Sequence, residues 1–331
     1  MQPDIAQLAE GRDVRTRDLF IRSTVNVIPT QVRVQVQSGS SEVGIFAGTT
    51  IESPTGAKWR ACRLLERSSE FHHGYLAGGG VIVFRADSGG SEYEIVEFIP
   101  RGEDPRLFLH RGRAYIYYHT YNQTLGCSDL WMMCLEPISS PLLFDSSIRD
   151  KGKNWSPFEY SRQLYFAYCL DPLTLVREVA RDPVTIKWDL LEDEAHPPEW
   201  RWGARDEAGY GSEYRGGTRG VERDQRLYFF GHRTHQTDYE NLHTLFVIRY
   251  EPQYGNLRRL ELTCDIGAPL LCDPFGVQER MDGFFDLDLS IATGFVHDPR
   301  RDLSIAKVTY RIDLLDEKLD EQTAEDAPLL T

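Results

Sequence analysis

Residues 105–119 read PRLFLHRGRAYIYYH, and the same outline returns twice later in the chain. Residues 156–169 read SPFEYSRQLYFAYC, and residues 218–232 read TRGVERDQRLYFFGH. Each segment has a polar approach, a turn that holds charged residues, and a strand rich in aromatic side chains. A tyrosine of the aromatic strand recurs after 50 and then 63 residues. Such repeats predict a small antiparallel sheet that recurs around an axis, as in a β-propeller.

The rest of the chain also favours strands. Helical periodicity is confined to the start, near Asp4–Glu10, and a repeat of roughly 60 residues divides the 331-residue chain into about five blades. We therefore expect an all-β fold, a five-bladed β-propeller formed by one domain; a sandwich or barrel is the alternative that spacing alone leaves open. An N-terminal extension of about residues 1–20 and an acidic tail of about residues 313–331 would flank it. Strands are predicted at Gln31–Gln37, Gly80–Arg85, Ala114–His119, Gln163–Tyr168, Arg226–Phe230 and Leu303–Tyr310.

Composition excludes several functional classes. The chain has 37 Lys and Arg against 51 Asp and Glu, a net charge of −14. This balance argues against binding of nucleic acid through the phosphates. No apolar run approaches the ~20 residues that span a bilayer, so we expect no membrane association. The N-terminus lacks the apolar core of a signal peptide and the six cysteines form no CxxC pair, so a cytoplasmic location is expected.

Two carboxylates and a guanidinium come together in Glu103-Asp-Pro-Arg106, directly before the first aromatic strand. Pro105 fixes its own backbone angle φ and favours an extended conformation at Asp104. Such a turn holds a carboxylate rigidly, and Arg106 can brace it or change its ionisation. This chemistry suits a general acid that acts directly or through a sugar hydroxyl. A surface turn with an Asp–Arg ion pair is the alternative.

A second cluster lies in Lys151–Tyr160, KGKNWSPFEY, before a strand expected to be buried. Lys153 can bind phosphate as a point charge. Trp155 can stack on a sugar ring or a base. The alternative is a solvated loop whose tryptophan belongs to the core.

A third cluster begins at Arg215, which precedes Gly216-Gly217. Adjacent glycines let backbone amides approach an anion. His232 and Arg233 follow the third aromatic strand, where a strand end can face a central cavity. The sequence has neither GxxxxGK[ST] nor GxGxxG, and neither HExxH nor a cysteine cluster accompanies His232 and His235. We therefore expect no metal and no cofactor.

Taken in order, these segments resemble the five-bladed propeller phosphorylases that act on β-mannosides, glycoside hydrolase family 130. They also resemble the related β-1,2-mannosyltransferases of glycosyltransferase family 108. The match consists of EDPR with an aromatic strand, KNWSPF with YFAY, an Arg-Gly-Gly strand that ends in His, and a closing Gly-x-x-x-Asp. It extends over residues 70–310, most of the chain.

The resemblance implies that Asp104 is the single catalytic carboxylate. It would move a proton to or from the oxygen between two sugars, in the phosphorylases through a hydroxyl of the bound sugar. Arg85, at the end of the strand GVIVFR, matches an arginine that holds the sugar beside this aspartate. Asp298 resembles a late aspartate that binds sugar hydroxyls, and Trp155 would complete the sugar-binding set.

The resemblance also implies a donor site made of cationic groups. Phosphate-facing residues of these families fall at Lys153, Arg215 and His232, and Arg233 joins them. The expected partners are an oligosaccharide acceptor and phosphate, mannose-1-phosphate or GDP-mannose. Cationic side chains gathered within an acidic protein would form a local positive potential that concentrates such a donor.

The expected function is glycosyl transfer to or from phosphate or a nucleotide sugar, acting on β-1,2-linked mannosides. An inverting glycoside hydrolase on the same scaffold is the first alternative. It would need a second carboxylate, such as Glu213 or Asp298, ~6.5–9.5 Å from Asp104. A non-catalytic carbohydrate-binding propeller is the second alternative.

Overall fold

The computed structural model describes the chain in segments: 13–16, 19–26, 31–36, 39–66, 80–90, 93–122, 127–146, 154–170, 173–190, 214–236, 241–253, 256–262, 271–280, 284–293 and 304–312. These segments contain strands and no helix, which confirms the all-β prediction. No helix in them has the length and apolar character that crossing a membrane requires. The expected helix at Asp4–Glu10 and the acidic tail lie outside the described residues. The described strands begin at Asp13, and the bounds of the N-terminal extension stay a prediction.

In chain order the strands are β1 (Asp13–Thr16), β2 (Leu19–Asn26), β3 (Gln31–Val36), β4 (Gly39–Glu52), β5 (Lys58–Glu66), β6 (Gly80–Ala86), β7 (Glu94–Pro100), β8 (Gly102–His110), β9 (Arg113–Asn122), β10 (Cys127–Cys134), β11 (Leu142–Ser146), β12 (Ser156–Tyr160), β13 (Gln163–Leu170), β14 (Leu173–Arg181), β15 (Thr185–Leu190), β16 (Tyr214–Gly216), β17 (Val221–Arg223), β18 (Arg226–Gln236), β19 (Asn241–Glu251), β20 (Asn256–Leu262), β21 (Leu271–Glu279), β22 (Phe285–Thr293) and β23 (Ser304–Ile312).

These strands form four sheets. One has the order β1-β2-β23-β22-β21 and joins the two ends of the described chain, and a second has the order β3-β4-β5-β6-β7. The third has eight strands in the order β12-β13-β14-β15-β11-β10-β9-β8, and the fourth has the order β16-β18-β19-β20 with β17 also paired to β18. Among the described strands, neighbours pair antiparallel except for the parallel pair β11 and β15. That pair divides the eight-stranded sheet into two antiparallel halves, so the strands form five antiparallel units.

The inner strands of the five units contact one another in a closed cycle. β4 contacts β8, β8 contacts β12, and β12 contacts β17. The partner of β17, β18, contacts β21, and β21 contacts β4 again. This ring of antiparallel units is a β-propeller, as expected from the repeats. The count of five blades stays a prediction, which the five units favour.

The three repeated segments are the inner hairpins β8–β9, β12–β13 and β17–β18. Their two-residue turns all have positive φ at both positions, between 50° and 71°. Turns of this type match the right-handed twist of the flanking strands, and they hold a hairpin tightly closed. The turns are Arg111-Gly112, Ser161-Arg162 and Asp224-Gln225.

Aromatic side chains fill the space between neighbouring units. In the eight-stranded sheet, Phe166 contacts Trp188 of its own half and Phe144 of the other half, with ring centroids 4.9 and 5.3 Å away. Phe158 on β12 and Phe229 on β18 pack edge to face between two neighbouring units. Because this apolar packing joins the units, the side chains at the inner ends of their strands are held in fixed relative positions.

Candidate functional site

Asp104 lies on a β-bulge in the inner strand β8. The β8–β9 pairing joins Glu103 to His119 and Arg106 to Tyr117, so β8 advances three residues where β9 advances two. Asp104 has a φ of 44°, a left-handed conformation that non-glycine residues adopt rarely. Pro105 has no backbone N–H, so the interruption leaves no donor unpaired there. A bulge re-aims the side chains around it, and here the carboxylates of both Glu103 and Asp104 contact one arginine.

That arginine is Arg63, on β5 of the preceding unit. Its Nη1 donates a hydrogen bond of 2.8 Å to Asp104 Oδ1, and its Nη2 lies 3.0 Å from Glu103 Oε2. Burial lowers the pKa of Arg63, but the charges of Asp104 and Glu103 outweigh it and raise the pKa above the ordinary value. The guanidinium therefore stays charged and fixes the orientation of the Asp104 carboxyl group.

His119, on β9, approaches the same two carboxylates. Its Nε2 is 3.3 Å from Glu103 Oε2 and 3.8 Å from Asp104 Oδ2, and the residue is 1% exposed. The three side chains offer ligand atoms within 4.8 Å of one another, the spacing of a metal site. Arg63 already provides a positive charge to both carboxylates, and its repulsion disfavours a divalent cation at this place.

Arg106 is buried beneath the bulge. Its Nη1 donates to the carbonyl oxygen of Pro105 at 3.0 Å, and its Nη2 reaches Asn154 Oδ1 at 3.5 Å. Burial lowers the pKa of Arg106, while the charges of Asp104 and Asp273 act in the opposite direction. Arg106 therefore interacts with two carboxylates that come from different units.

Asp273 is a residue of this centre that the sequence analysis did not single out. It lies on the inner strand β21, where a second bulge falls between Pro274 and Gly276. Its charge raises the pKa of both Arg63 and Arg106. The signal that points to it is the Asp-Pro pair, the same pair that marks the bulge at Asp104.

His232 connects the donor residues expected from the sequence to this centre. It is buried on β18, and its Nδ1 is 3.5 Å from Asp273 Oδ1. Arg215 is its backbone partner across β16 and β18, and Arg233 pairs with Tyr214. The side chains of Arg215 and Arg233 lie outside the part that the structure describes, as do Lys153 and Asp298.

The structure places Arg63, and not Arg85, beside Asp104. In the pairing of β5 with β6, Arg63 lies opposite Val81, whereas Arg85 is four residues further along β6, about 13 Å away. Arg85 is paired instead with Asp87 at 3.1 Å, and its side chain is 41% exposed. The arginine beside Asp104 is thus Arg63, and the role of Arg85 in holding a sugar stays a prediction. An arginine within the otherwise apolar run ACRLL was the available sequence signal.

Trp155 belongs to the core, which corrects the expectation that it stacks on a sugar. The residue is 1% exposed. Its ring contacts those of Tyr168, Phe144 and Phe166 at centroid distances of 5.2, 6.0 and 6.2 Å. No face of the indole is open to a ligand, so this loop contributes to the site through Asn154 instead.

No family model matches the chain, and no curated protein matches it. Solved structures do match it. A mannose phosphorylase from Leishmania mexicana in complex with phosphate, MPT-4, is 12% identical with a TM-score of 0.51, and the match covers 88% of this chain and 89% of that one. A glycosyl hydrolase from Bacteroides ovatus is 9% identical with a TM-score of 0.51 over 92% and 96%. A mutant of the GH43 protein BlXynB from Bacillus licheniformis is 13% identical with a TM-score of 0.50 over 87% of this chain and 56% of that chain.

These structural neighbours are carbohydrate-active enzymes, and they include both hydrolases and a phosphorylase. At 9–13% identity the likeness shows the fold, which is the β-propeller expected from the resemblance.

Proposed function

We propose that this protein transfers a glycosyl group to or from phosphate or a nucleotide sugar and acts on β-1,2-linked mannosides. The observation that carries the proposal is Asp104, a buried carboxylate on a bulge with one oxygen bound by Arg63 and the other facing His119. A strained, charge-paired acidic group at the centre of a propeller suits proton transfer better than it suits stability alone. The choice of substrates is supported by the mannose phosphorylase among the structural neighbours, whose structure is a complex with phosphate.

The reaction in the direction of breakdown would proceed as follows. The proton of Asp104 passes through a hydroxyl of the bound sugar to the oxygen that joins the two sugars. The bond from the anomeric carbon to that oxygen breaks, and a phosphate oxygen bonds to the anomeric carbon. The proton lost by phosphate restores Asp104. In synthesis from mannose-1-phosphate every step runs backwards, and phosphate leaves. With GDP-mannose as donor, the acceptor oxygen bonds to the anomeric carbon as the bond to GDP breaks, GDP leaves, and Asp104 takes the proton of the acceptor hydroxyl and passes it to solvent.

The remaining residues take the following parts in this proposal. Arg63 holds Asp104 and the adjoining sugar, while Asp298 binds sugar hydroxyls. Phosphate or the donor diphosphate is bound by four basic side chains. These are Lys153, Arg215, His232 and Arg233.

The direct test uses three separate incubations: with mannose-1-phosphate and acceptor, with GDP-mannose and acceptor, and with β-1,2-mannobiose and phosphate. Release of phosphate, GDP or mannose-1-phosphate identifies the donor. Asp104→Asn should retain the fold and lose about 10²–10⁴-fold in kcat, the usual contribution of a general acid. Asp87→Asn is the matched control, because this exposed carboxylate follows the end of β6 and is paired with Arg85. Full activity of Asp104→Asn would eliminate the proposal.

An inverting hydrolase is the second candidate, and Asp273 is the observation that favours it. Asp104 and Asp273 come from two units and act on the same two arginines. An inverting enzyme uses one carboxylic acid and one carboxylate that activates water. It would release mannose from β-1,2-mannobiose without phosphate, and Asp273→Asn would remove this activity. Glycan binding with no product, unchanged in Asp104→Asn, would instead identify a non-catalytic propeller.

A further inference from the structure

We propose that His119 is a positioning residue that holds Asp104 and Glu103 in the geometry needed for proton transfer at Asp104. This inference rests on the proposed function, because it concerns the carboxylate assigned to the reaction. His119 lies directly opposite Glu103 in the β8–β9 pairing, and so it faces the residue at which the bulge begins. No sequence motif pointed to it.

The contacts at the bulge divide the carboxylate oxygens between two side chains. Arg63 binds Asp104 Oδ1, and Oδ2 is the oxygen that lies 3.8 Å from the imidazole of His119. Glu103 Oε2 lies 3.0 Å from Arg63 and 3.3 Å from His119. Because the guanidinium and the imidazole restrain the same carboxyl groups, rotation of either carboxyl group is opposed.

The charges explain why a second restraint is needed. Glu103 and Asp104 are neighbours in sequence and share one guanidinium, so the two negative charges repel each other. The left-handed backbone of Asp104 is also a conformation that persists only when its surroundings impose it. The imidazole Nε2 lies 3.3 and 3.8 Å from the two carboxylates, so the ring opposes their separation. Since His119 is 1% exposed, it acts through these carboxylates and not on the substrate.

Two substitutions at His119 test the proposal in the phosphorolysis of β-1,2-mannobiose, followed by release of mannose-1-phosphate. His119→Phe keeps a ring of similar size and removes both nitrogens, whereas His119→Gln keeps an N–H that can reach the carboxylates. Displacement of a catalytic group by about 1 Å lowers the reaction rate by about 10²-fold. We therefore expect kcat of His119→Phe to fall about 10²-fold, with KM changed less than about threefold. His119→Gln should recover about tenfold of that loss.

His110 provides a matched control on the same hairpin. It is also buried, and its Nδ1 lies 2.6 Å from Glu159 Oε2, at the opposite end of β8 from the bulge. His110→Phe should lower the unfolding midpoint but leave kcat within about twofold, because it moves no group at the bulge. Equal losses of kcat in His110→Phe and His119→Phe, or wild-type kcat in His119→Phe, would overturn the proposal.

A double-mutant cycle of unfolding free energies tests the contact of His119 with Asp104 independently of turnover. If the wild-type protein turned over none of the three substrate combinations, the proposed function would fail, but this cycle could still be measured. In urea unfolding, the effects of His119→Phe and Asp104→Asn on the free energy of unfolding should be non-additive. The effects of His110→Phe and Asp104→Asn should be additive. Additivity of the first pair would overturn the role of His119. A rise in the wild-type unfolding midpoint on addition of Zn²⁺, absent in His119→Phe, would assign the three side chains to a metal and would also overturn it.

Discussion

Replacement of Arg63 by leucine removes the guanidinium that Glu103 and Asp104 share. Both carboxylates would then lie largely buried without the cation that they share, with side chains 16% and 11% exposed. Removal of one partner from a buried ion pair costs about 3–5 kcal/mol, and the remaining exposure of these groups favours the lower limit. We therefore expect the free energy of unfolding, measured by urea titration, to fall by about 3 kcal/mol.

Arg63→Lys separates charge from geometry. Lysine keeps the positive charge but lacks the planar fork that reaches both carboxylates at once. A hydrogen bond to a charged group contributes about 1.5–3 kcal/mol, so loss of one of the two contacts should reduce kcat/KM by about 10- to 100-fold. Initial rates of phosphorolysis measure this loss in protein that has been shown to be folded by circular dichroism.

Arg85→Leu is the control that can refute this reasoning. The ion pair of Arg85 with Asp87 is exposed, and such pairs contribute about 0–1 kcal/mol. We expect little change in stability and none in kcat. If Arg85→Leu abolished turnover while Arg63→Lys retained it, the sequence-based assignment of the sugar-holding arginine would be correct and the one drawn from the structure would be wrong.

Trp155→Phe should lower stability by about 1–3 kcal/mol in urea unfolding without a change in KM for the sugar, because the indole packs in the core. Burial raises the pKa of Glu136, but hydrogen bonds, that from Trp59 foremost, hold it below the ordinary value of 4.5. The stabilisation by Glu136 is therefore complete above pH 4.5 and is lost as the pH falls through the lower pKa of the folded state. Glu136→Gln should reduce this dependence of the free energy of unfolding on pH. Gly216→Ala should destabilise by about 1–3 kcal/mol, since a Cβ would lie 2.5 Å from the carbonyl oxygen of Asn154; thermal unfolding measures it.

The hairpin repeats were predictable from sequence because their signals are local. Aromatic and β-branched residues alternate with turn residues at short range, so residues 105–119, 156–169 and 218–232 identify their strands without knowledge of the neighbours. Pro105 marked the interruption at Asp104 in the same local way. The extended conformation that proline favours at the preceding residue was nevertheless wrong here, because the bulge gives Asp104 a left-handed φ of 44°.

The residues that contact Asp104 were harder to predict from sequence, because they depend on how the units pack around the ring. Arg63 and Arg85 both lie on strands of the unit before Asp104, and local pattern does not tell which strand position faces the bulge. The pairing of β5 with β6 separates them by four residues, enough to place one in the centre and leave the other exposed. Burial of Trp155 likewise depends on Phe144 and Phe166 of neighbouring strands.

Asp-Pro pairs show how local chemistry and position in the fold combine. The pair occurs five times in the chain, so the dipeptide alone does not identify a site. Proline cannot donate to a strand ladder, and the pair is tolerated only where the ladder is interrupted. Asp182 meets this condition in the exposed turn between β14 and β15, where its Oδ1 accepts hydrogen bonds from the backbone N–H groups of Val184 and Thr185.

Asp104 and Asp273 meet the same condition through bulges, and both bulges lie on inner strands of the ring. On an outer turn the interrupted ladder releases the carboxylate to solvent, whereas on an inner strand it turns the carboxylate toward the buried arginines at the centre. The position of the strand within its unit therefore decides what the dipeptide does. An Asp-Pro pair on the inner strand of a unit, such as Asp273 on β21, is the pattern by which a second carboxylate of the site can be found from sequence.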